Sequence, residues 1–248
     1  MKSLSKKHSE IRRLIAERSP YDEKETVRLL GKFFRSVPAS VKILIQNHHF
    51  DEKEVLDIGC SYGQTLLYWG EGSEGVEIKD GPTRFLEEME RKVHKLNVEE
   101  GFVGVERRYD AIYTNNLVEH LVSPHLFLVR LHGLLKPNGL LAIGHPIVPP
   151  FTFRGLWGLL GYKGWASVEH INFFTAQTAK LTLERAGFQV LRQYRFRRLY
   201  RVPVVRDILG SIGINCLSIC KKKKGYKYDK KRITEFDPAW ASDLKHLR

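Results

Sequence analysis

The sequence predicts an α/β protein built on a doubly wound, mostly parallel sheet with helices in front of it. Three observations carry that expectation. From Glu54 onward short apolar runs alternate with helix-periodic stretches, the first run ends in a glycine-containing turn, and the last two runs have period-2 character. A length of 248 residues suits one large α/β domain with additions, and an apolar content of 42% excludes wholesale disorder.

Residues 1–50 are expected as a helical cap. Ile11, Leu14 and Ile15, then Val27, Leu29, Leu30, Phe33 and Phe34, fall at helical spacing, with breaks at Ser19-Pro20 and Val37-Pro38. The domain proper is expected over 51–220. It opens with VLDIG, a strand, and QTLLYW, read as a helix. Next come GVEI, the helical TRFLEEMERKV and HKLNV, followed by YDAIYTN and the long LVEHLVSPHLFLVRLHGLL. KPNG (Lys136 to Gly139) turns the chain into LLAIGHP. Residues 147–165 then break the alternation with Pro, Gly and aromatics, so a loop over 147–170 is expected on the acceptor side of the ligand edge. TAQTAKLTLERAGF reads as a helix opened by Thr175 and closed by Gly187. FQVLRQYRF and INCLSICKKK read as terminal strands, and 221–248 as a basic tail.

The net charge of +13 is local. Arg185 to Arg232 holds 15 basic residues against Asp207 and Asp229, and the other 200 residues are balanced. That stretch therefore bears on docking, to an anionic membrane surface, RNA or an acidic partner, more than on a reaction. No apolar run reaches the roughly 18 to 20 residues of a bilayer span. The N-terminus has no apolar signal core, so a cytoplasmic protein, peripheral to a membrane at most, is expected. Cys60, Cys216 and Cys220 are too few and too scattered for a disulfide framework or a zinc site, and no metal is expected.

VLDIGCSYGQTLLYW is the sharpest feature. Gly59 and Gly63 let the backbone approach a ligand closely. Ser61 and Gln64 exclude the G-x-G-x-x-G dinucleotide fingerprint, and no G-K-[ST] follows for a P-loop. Asp57 at the strand end disfavours a phosphate and suits a ligand with an ammonium group. Glu77, twenty residues on, stands at the end of the next strand, where a carboxylate accepts from ribose hydroxyls. A ribose, a cation and no pyrophosphate together indicate S-adenosylmethionine.

On these residues the chain resembles the class I S-adenosylmethionine-dependent methyltransferases, nearest to the small-molecule, ubiquinone-biosynthesis-type branch. The resemblance covers roughly Val55 to Phe188: VLDIGCSYG, GVEI, HKLNV, YDAIYTNNLVEHL, LLKPNGLLAIGHP and EHINFFTAQTAKLTLERAGF occur in the family's order. It implies a Rossmann-like methyltransferase fold with a seven-stranded sheet. It also implies that Asp57, Gly59 and Cys60 line the methionine end of the cofactor, with Glu77 on the ribose and Ile78 beside the adenine. Asn97 and Val98 would serve the adenine edge, while Thr114 and Asn115 close over the cofactor. Ser61 and Asn97 depart from the family, which has glycine and often aspartate there.

Histidines are the general-base candidates, because imidazole titrates near neutrality. His145 after the fifth strand and His170 in EHINFF are the catalytic candidates, and His120 is read as structural. Proximity and in-line geometry alone suffice for many methyl transfers, so a base need not be present. The expected activity is methyl transfer to an O or N atom of a small, lipid-linked or glycan-related metabolite. Two alternatives stay open. One is an RNA methyltransferase using Arg192, Arg195, Arg197, Arg198 and Arg201 among Tyr194, Phe196 and Tyr200. The other is a cofactor-binding protein without catalysis, suggested by Ser61 and Asn97. No N-P-P-[YF] base-handling motif follows the fourth strand.

Overall fold

In a computed structural model, residues 2–147, 169–196 and 215–227 are described. Three helices lead: α1 (Lys2–Arg18), α2 (Glu23–Phe33) and α3 (Ala39–His48). Asp22 caps α2 by accepting from the Glu25 N–H at 2.7 Å. The strands are β1 (Val55–Ile58), β2 (Glu74–Glu77), β3 (Val93–Lys95), β4 (Tyr109–Asn115), β5 (Leu135–Pro146), β6 (Phe188–Phe196) and β7 (Asn215–Lys222). Between them lie α4 (Asp80–Glu88), α5 (Pro124–Leu134) and α6 (Ala176–Arg185).

They form one seven-stranded sheet in the order β3-β2-β1-β4-β5-β7-β6, parallel except for β7. The expected doubly wound, mostly parallel seven-stranded fold is therefore present. The order in which the chain adds strands reverses between the parallel neighbours β1 and β4, and in such sheets ligands bind at the carboxyl ends of the strands on either side of that switch. Each face of the sheet is covered. Phe34, Val41 and Leu44 from the leading helices pack with Phe85, Leu86 and Tyr113 on one face. Phe127, Leu128 and Leu131 of α5 and Leu183 of α6 pack with Leu56, Ile112 and Ile143 on the other.

One expected helix is absent. QTLLYW forms only a single 3-10 turn, Leu66–Tyr68. Leu66, Leu67, Tyr68 and Trp69 are all buried, so the run has no solvent face with which to make an amphipathic helix. Gly70 then ends it, because a Cβ there would sit 2.5 Å from the Lys53 carbonyl oxygen. α1 packs on this turn, with Lys7 Nζ donating to the Tyr68 carbonyl at 2.6 Å.

Other local signals are realised. Thr175 caps α6 in a reciprocal capping box with Thr178, and Gly187 beyond it takes φ +91°, with the Tyr226 ring where a side chain would go. KPNG bulges out of β5: Leu135 pairs with Tyr109, and pairing resumes at Leu140 with Ala111. β7 runs to Lys222, two residues into the stretch read as tail. Most of the aromatic loop, and Arg197, Arg198, Tyr200, Arg201 and residues 228–248, lie outside the described residues.

Candidate active site

The turn after β1 and the end of β2 are joined through one carboxylate. Gly59 takes φ +73° and its N–H bonds the Val76 carbonyl at 2.8 Å, turning the chain out of the sheet. Ser61 also lies in the left-handed region, at φ +48°, and its N–H donates to Glu77 Oε2 at 2.9 Å. Glu77 Oε1 accepts from the N–H groups of Ile78 and Lys79 at 2.9 and 3.0 Å. Three main-chain donors thus fix a buried carboxylate at the lip of a cleft of about 470 Å³. That volume is within the range of small-molecule sites.

Gly59, Glu77, Ile78, Asn97, Val98 and Asn115 all line this cleft, so six of the residues singled out in the sequence converge there. Ile78 is exposed, offering an apolar surface to a flat ring. The Asn97 side chain is already folded into a local turn: Oδ1 accepts from the Glu99 N–H at 3.1 Å, and Nδ2 donates to Glu100 at 3.0 Å. An amide oxygen keeps a second lone pair, so Asn97 still has an acceptor to offer.

A second cavity of about 100 Å³ opens on the other side of Gly59 and Asn115, which line both. Its walls include Pro38, Ser40, Gln64, Thr65 and Tyr113. Ser40 Oγ and Tyr113 Oη are 3.0 Å apart across it. Gln64 Oε1 is buried and has no hydrogen-bond partner among the described residues. Sequence reading missed Ser40, Gln64 and Tyr113 as site residues. The signals were weak, since nothing local ties residue 40 to a strand far along the chain.

Other expected site residues are placed differently. Asp57 does not reach either cavity. It is 1% exposed, beneath Thr65, whose Oγ1 donates to Asp57 Oδ2 at 2.6 Å; Trp69 Nε1 donates to the same oxygen at 2.8 Å. Burial pushes its carboxyl up to about 7 against the pull of these two bonds. Cys60 points into the core, its Sγ filling the space over Gly75, and burial raises its thiol well above the ordinary range. Gly63 serves packing, because a Cβ there would lie 2.5 Å from Leu86 Cδ2. Thr114 is fully buried and lines neither cavity.

The two catalytic candidates are not brought together. His145 sits inside β5, opposite Cys216, and faces the α5–α6 side with Phe174 at 5.4 Å, lining a small apolar pocket instead of the cleft. β5 is longer than expected, and this buries the ring; burial also lowers its pKa. His170 is half-buried, edge-on to His120 with ring centroids 4.9 Å apart. His120 does line the cleft, so the histidine read as structural stands nearer the ligand site than either candidate.

The sheet order, the switch-point cleft and the strand-end carboxylate define a nucleotide-cofactor-binding, Rossmann-like protein. A family profile described as a methyltransferase domain matches residues 6–193. The chain belongs to this family, the S-adenosylmethionine-dependent methyltransferases. It is similar, at 28% identity over 127 residues, to (S)-tetrahydroprotoberberine N-methyltransferase of Eschscholzia californica. That match covers 47% of this chain and 36% of the relative, so it spans about a third of the relative's length. Two solved structures share the fold. One is an S-adenosylmethionine-dependent methyltransferase of Archaeoglobus fulgidus, with a TM-score of 0.56, 21% identity and 81% and 100% of the two chains covered. The other is a Thermotoga maritima methyltransferase described as a possible histamine N-methyltransferase, with a TM-score of 0.56, 16% identity, and 81% and 96% covered.

The two cavities suit the family's cofactor. The larger offers an acceptor carboxylate for a ribose and an apolar edge for an adenine. The smaller offers an orphaned amide oxygen, Gln64 Oε1, for an ammonium group. Among the described residues, no helix is long and apolar enough to cross a membrane.

Proposed function

We propose that the protein transfers the methyl group of S-adenosylmethionine to an oxygen or nitrogen atom of a small molecule. The observation that carries this reading is the pair of cavities meeting at Gly59 and Asn115, with Glu77 in one and Gln64 in the other. Glu77 would accept from the ribose, Ile78 and Val98 would flank the adenine, and Gln64 would accept from the amino group. The bound cofactor supplies a sulfonium whose methyl carbon is attacked in line by the acceptor as the thioether leaves. The chain's own part is to position and to exclude water, which accounts for much of the rate in reactions of this type.

The name of the plant relative supports a nitrogen acceptor, and the ubiquinone-biosynthesis-type pattern of motifs supports a phenolic or lipid-linked oxygen. Both belong in one acceptor panel. Three free, buried cysteines agree with a reducing, cytoplasmic setting. The RNA reading gains no support from β6. Tyr194 is committed to packing, with His48 Nε2 3.3 Å from its hydroxyl and the Arg192 guanidinium 4.8 Å over its ring, so it is not a free stacking platform.

Calorimetry with S-adenosylmethionine, followed by mass-spectrometric detection of S-adenosylhomocysteine with amine and phenol acceptors, tests the proposal. Saturable binding lost in Glu77→Ala, with turnover on some members of the panel, is expected. No binding at millimolar cofactor would overturn it. Tight binding with no turnover on any acceptor would instead make this a cofactor-binding protein without catalysis.

A further inference from the structure

Beside the cleft, the Val118–His120 turn is clamped to residues 169–172. The N–H groups of Ile171 and Asn172 donate to the Glu119 carbonyl at 2.9 and 3.0 Å, and Asn172 Nδ2 reaches the Leu121 carbonyl. This clamp sets three side chains face to face. Glu119 is 1% exposed, yet neither carboxylate oxygen has a hydrogen-bond partner among the described residues. A buried carboxylate without partners is costly, and native structures avoid one unless something occupies it. His120 Nε2 lies 3.9 Å from Glu119 Oε1. One ligand atom from each of Glu119, His120 and His170 falls within 4.8 Å of the other two.

The orientation of His120 narrows what sits between them. His120 Nδ1 is 2.9 Å from the Glu169 carbonyl oxygen. A carbonyl only accepts, so Nδ1 donates to it, and Nε2 is the ring nitrogen turned toward Glu119. Donation of one ring N–H to a main-chain carbonyl is how metal-ligating histidines are oriented, with the other nitrogen left to bind the ion.

We propose that Glu119, His120 and His170 form a binding site for a divalent transition-metal ion such as Zn²⁺, Mn²⁺, Fe²⁺ or Co²⁺. Two imidazoles with one carboxylate suit these ions, whereas Mg²⁺ and Ca²⁺ favour oxygen-only shells. Ligand atoms about 2.1 Å from a tetrahedral ion lie about 3.4 Å apart, so side-chain shifts of about 1 Å close the present spacing. Three protein ligands leave open positions. Because His120 lines the cleft, those positions are available to water or to an oxygen or nitrogen of a molecule bound there. Nothing local in the chain signals this, since the adjacent Glu119-His120 pair and the distant His170 are not at a recognised ligand spacing.

The test uses the full chain without a histidine tag, stripped with chelator and titrated with CoCl₂. One equivalent of Co²⁺ with visible d–d absorption, displaced by ZnCl₂ and untouched by millimolar MgCl₂, is expected. His170→Ala and Glu119→Gln should each weaken uptake at least tenfold. Thermal unfolding of the metal-free proteins checks folding. Should Glu119→Gln not fold, the half-buried His170→Ala alone decides. No saturable uptake, effective competition by Mg²⁺, or unchanged uptake in His170→Ala would overturn the site. The readout is metal uptake, so it stands or falls separately from methyl transfer.

Discussion

The main-chain N–H of Ser61 donates to Oε2 of Glu77 at 2.9 Å, while Ser61 itself is held at φ +48°. A residue with a Cβ adopts that conformation at a cost of about 1–2 kcal/mol. The hydrogen bond to a buried carboxylate offsets it, and it explains how a serine keeps the turn where the family has glycine.

Ser61→Gly should relieve the strain and keep the bond, because the donor is main-chain. After the extra freedom that glycine gains in the unfolded chain, a net stabilisation of about 0.5 kcal/mol is expected. Thermal unfolding checks this; a lower midpoint would contradict the strain argument.

Glu77→Gln puts an amide NH₂ where one oxygen now accepts from a main-chain N–H, so at least one donor loses its partner. The amide also offers a donor where the carboxylate offered the ribose an acceptor; at about 2 kcal/mol for that loss in the complex, cofactor affinity should fall roughly 30-fold. An unchanged dissociation constant by calorimetry would remove Glu77 from the cofactor site.

Asp57 gives the protein a pH signature. Its folded pKa of about 7 lies above its ordinary 3.8, so the stability it carries is complete below about 4 and is lost as pH rises through about 7. Asp57→Asn keeps an acceptor for Thr65 and Trp69 without the charge. Urea unfolding should show the variant gaining on the parent by a few kcal/mol between pH 4 and pH 8. Parallel pH profiles would refute this.

Glu74 stands at the opposite edge of the sheet, buried, with the Tyr109 hydroxyl at 2.7 Å, His94 at 2.6 Å, Arg107 at 3.2 Å and Lys92 at 3.3 Å. Burial works to raise its carboxyl, but the hydrogen bonds from Tyr109, His94 and Lys92 outweigh it and hold the pKa below the usual range. The resulting stability is present above about pH 4.5 and lost as acid titrates the group. Tyr109→Phe should cost about 2 kcal/mol at pH 7, with the difference shrinking in acid and cofactor binding unchanged. A binding defect of similar size would mean that the two edges are coupled.

The sheet was legible because its signals are local: apolar runs, Thr175 before α6, Gly187 after it, and Glu77 closing a strand. The adenosine side of the site was legible for the same reason, since strand ends place Gly59, Glu77, Asn97 and Asn115 together. What escaped depends on packing between distant segments. Whether QTLLYW makes a helix is decided by how completely Leu66 to Trp69 are buried. Asp57 and Cys60 face inward because β1 is central, and His145 is covered because β5 runs on through it to Pro146 and pairs it with Cys216. Ser40 and Gln64 meet only once α3 has docked.

That docking has a practical meaning. Pro38 and Ser40, at the start of α3, form part of the wall around the cavity that contains Gln64. The leading helices are therefore not a detachable hood. A protease nick near residue 35, or a fusion partner that dislodges α1, would leave every sheet residue of the site untouched and still unroof one end of it. Cofactor retention then becomes a sensitive gauge of the integrity of the N-terminal region.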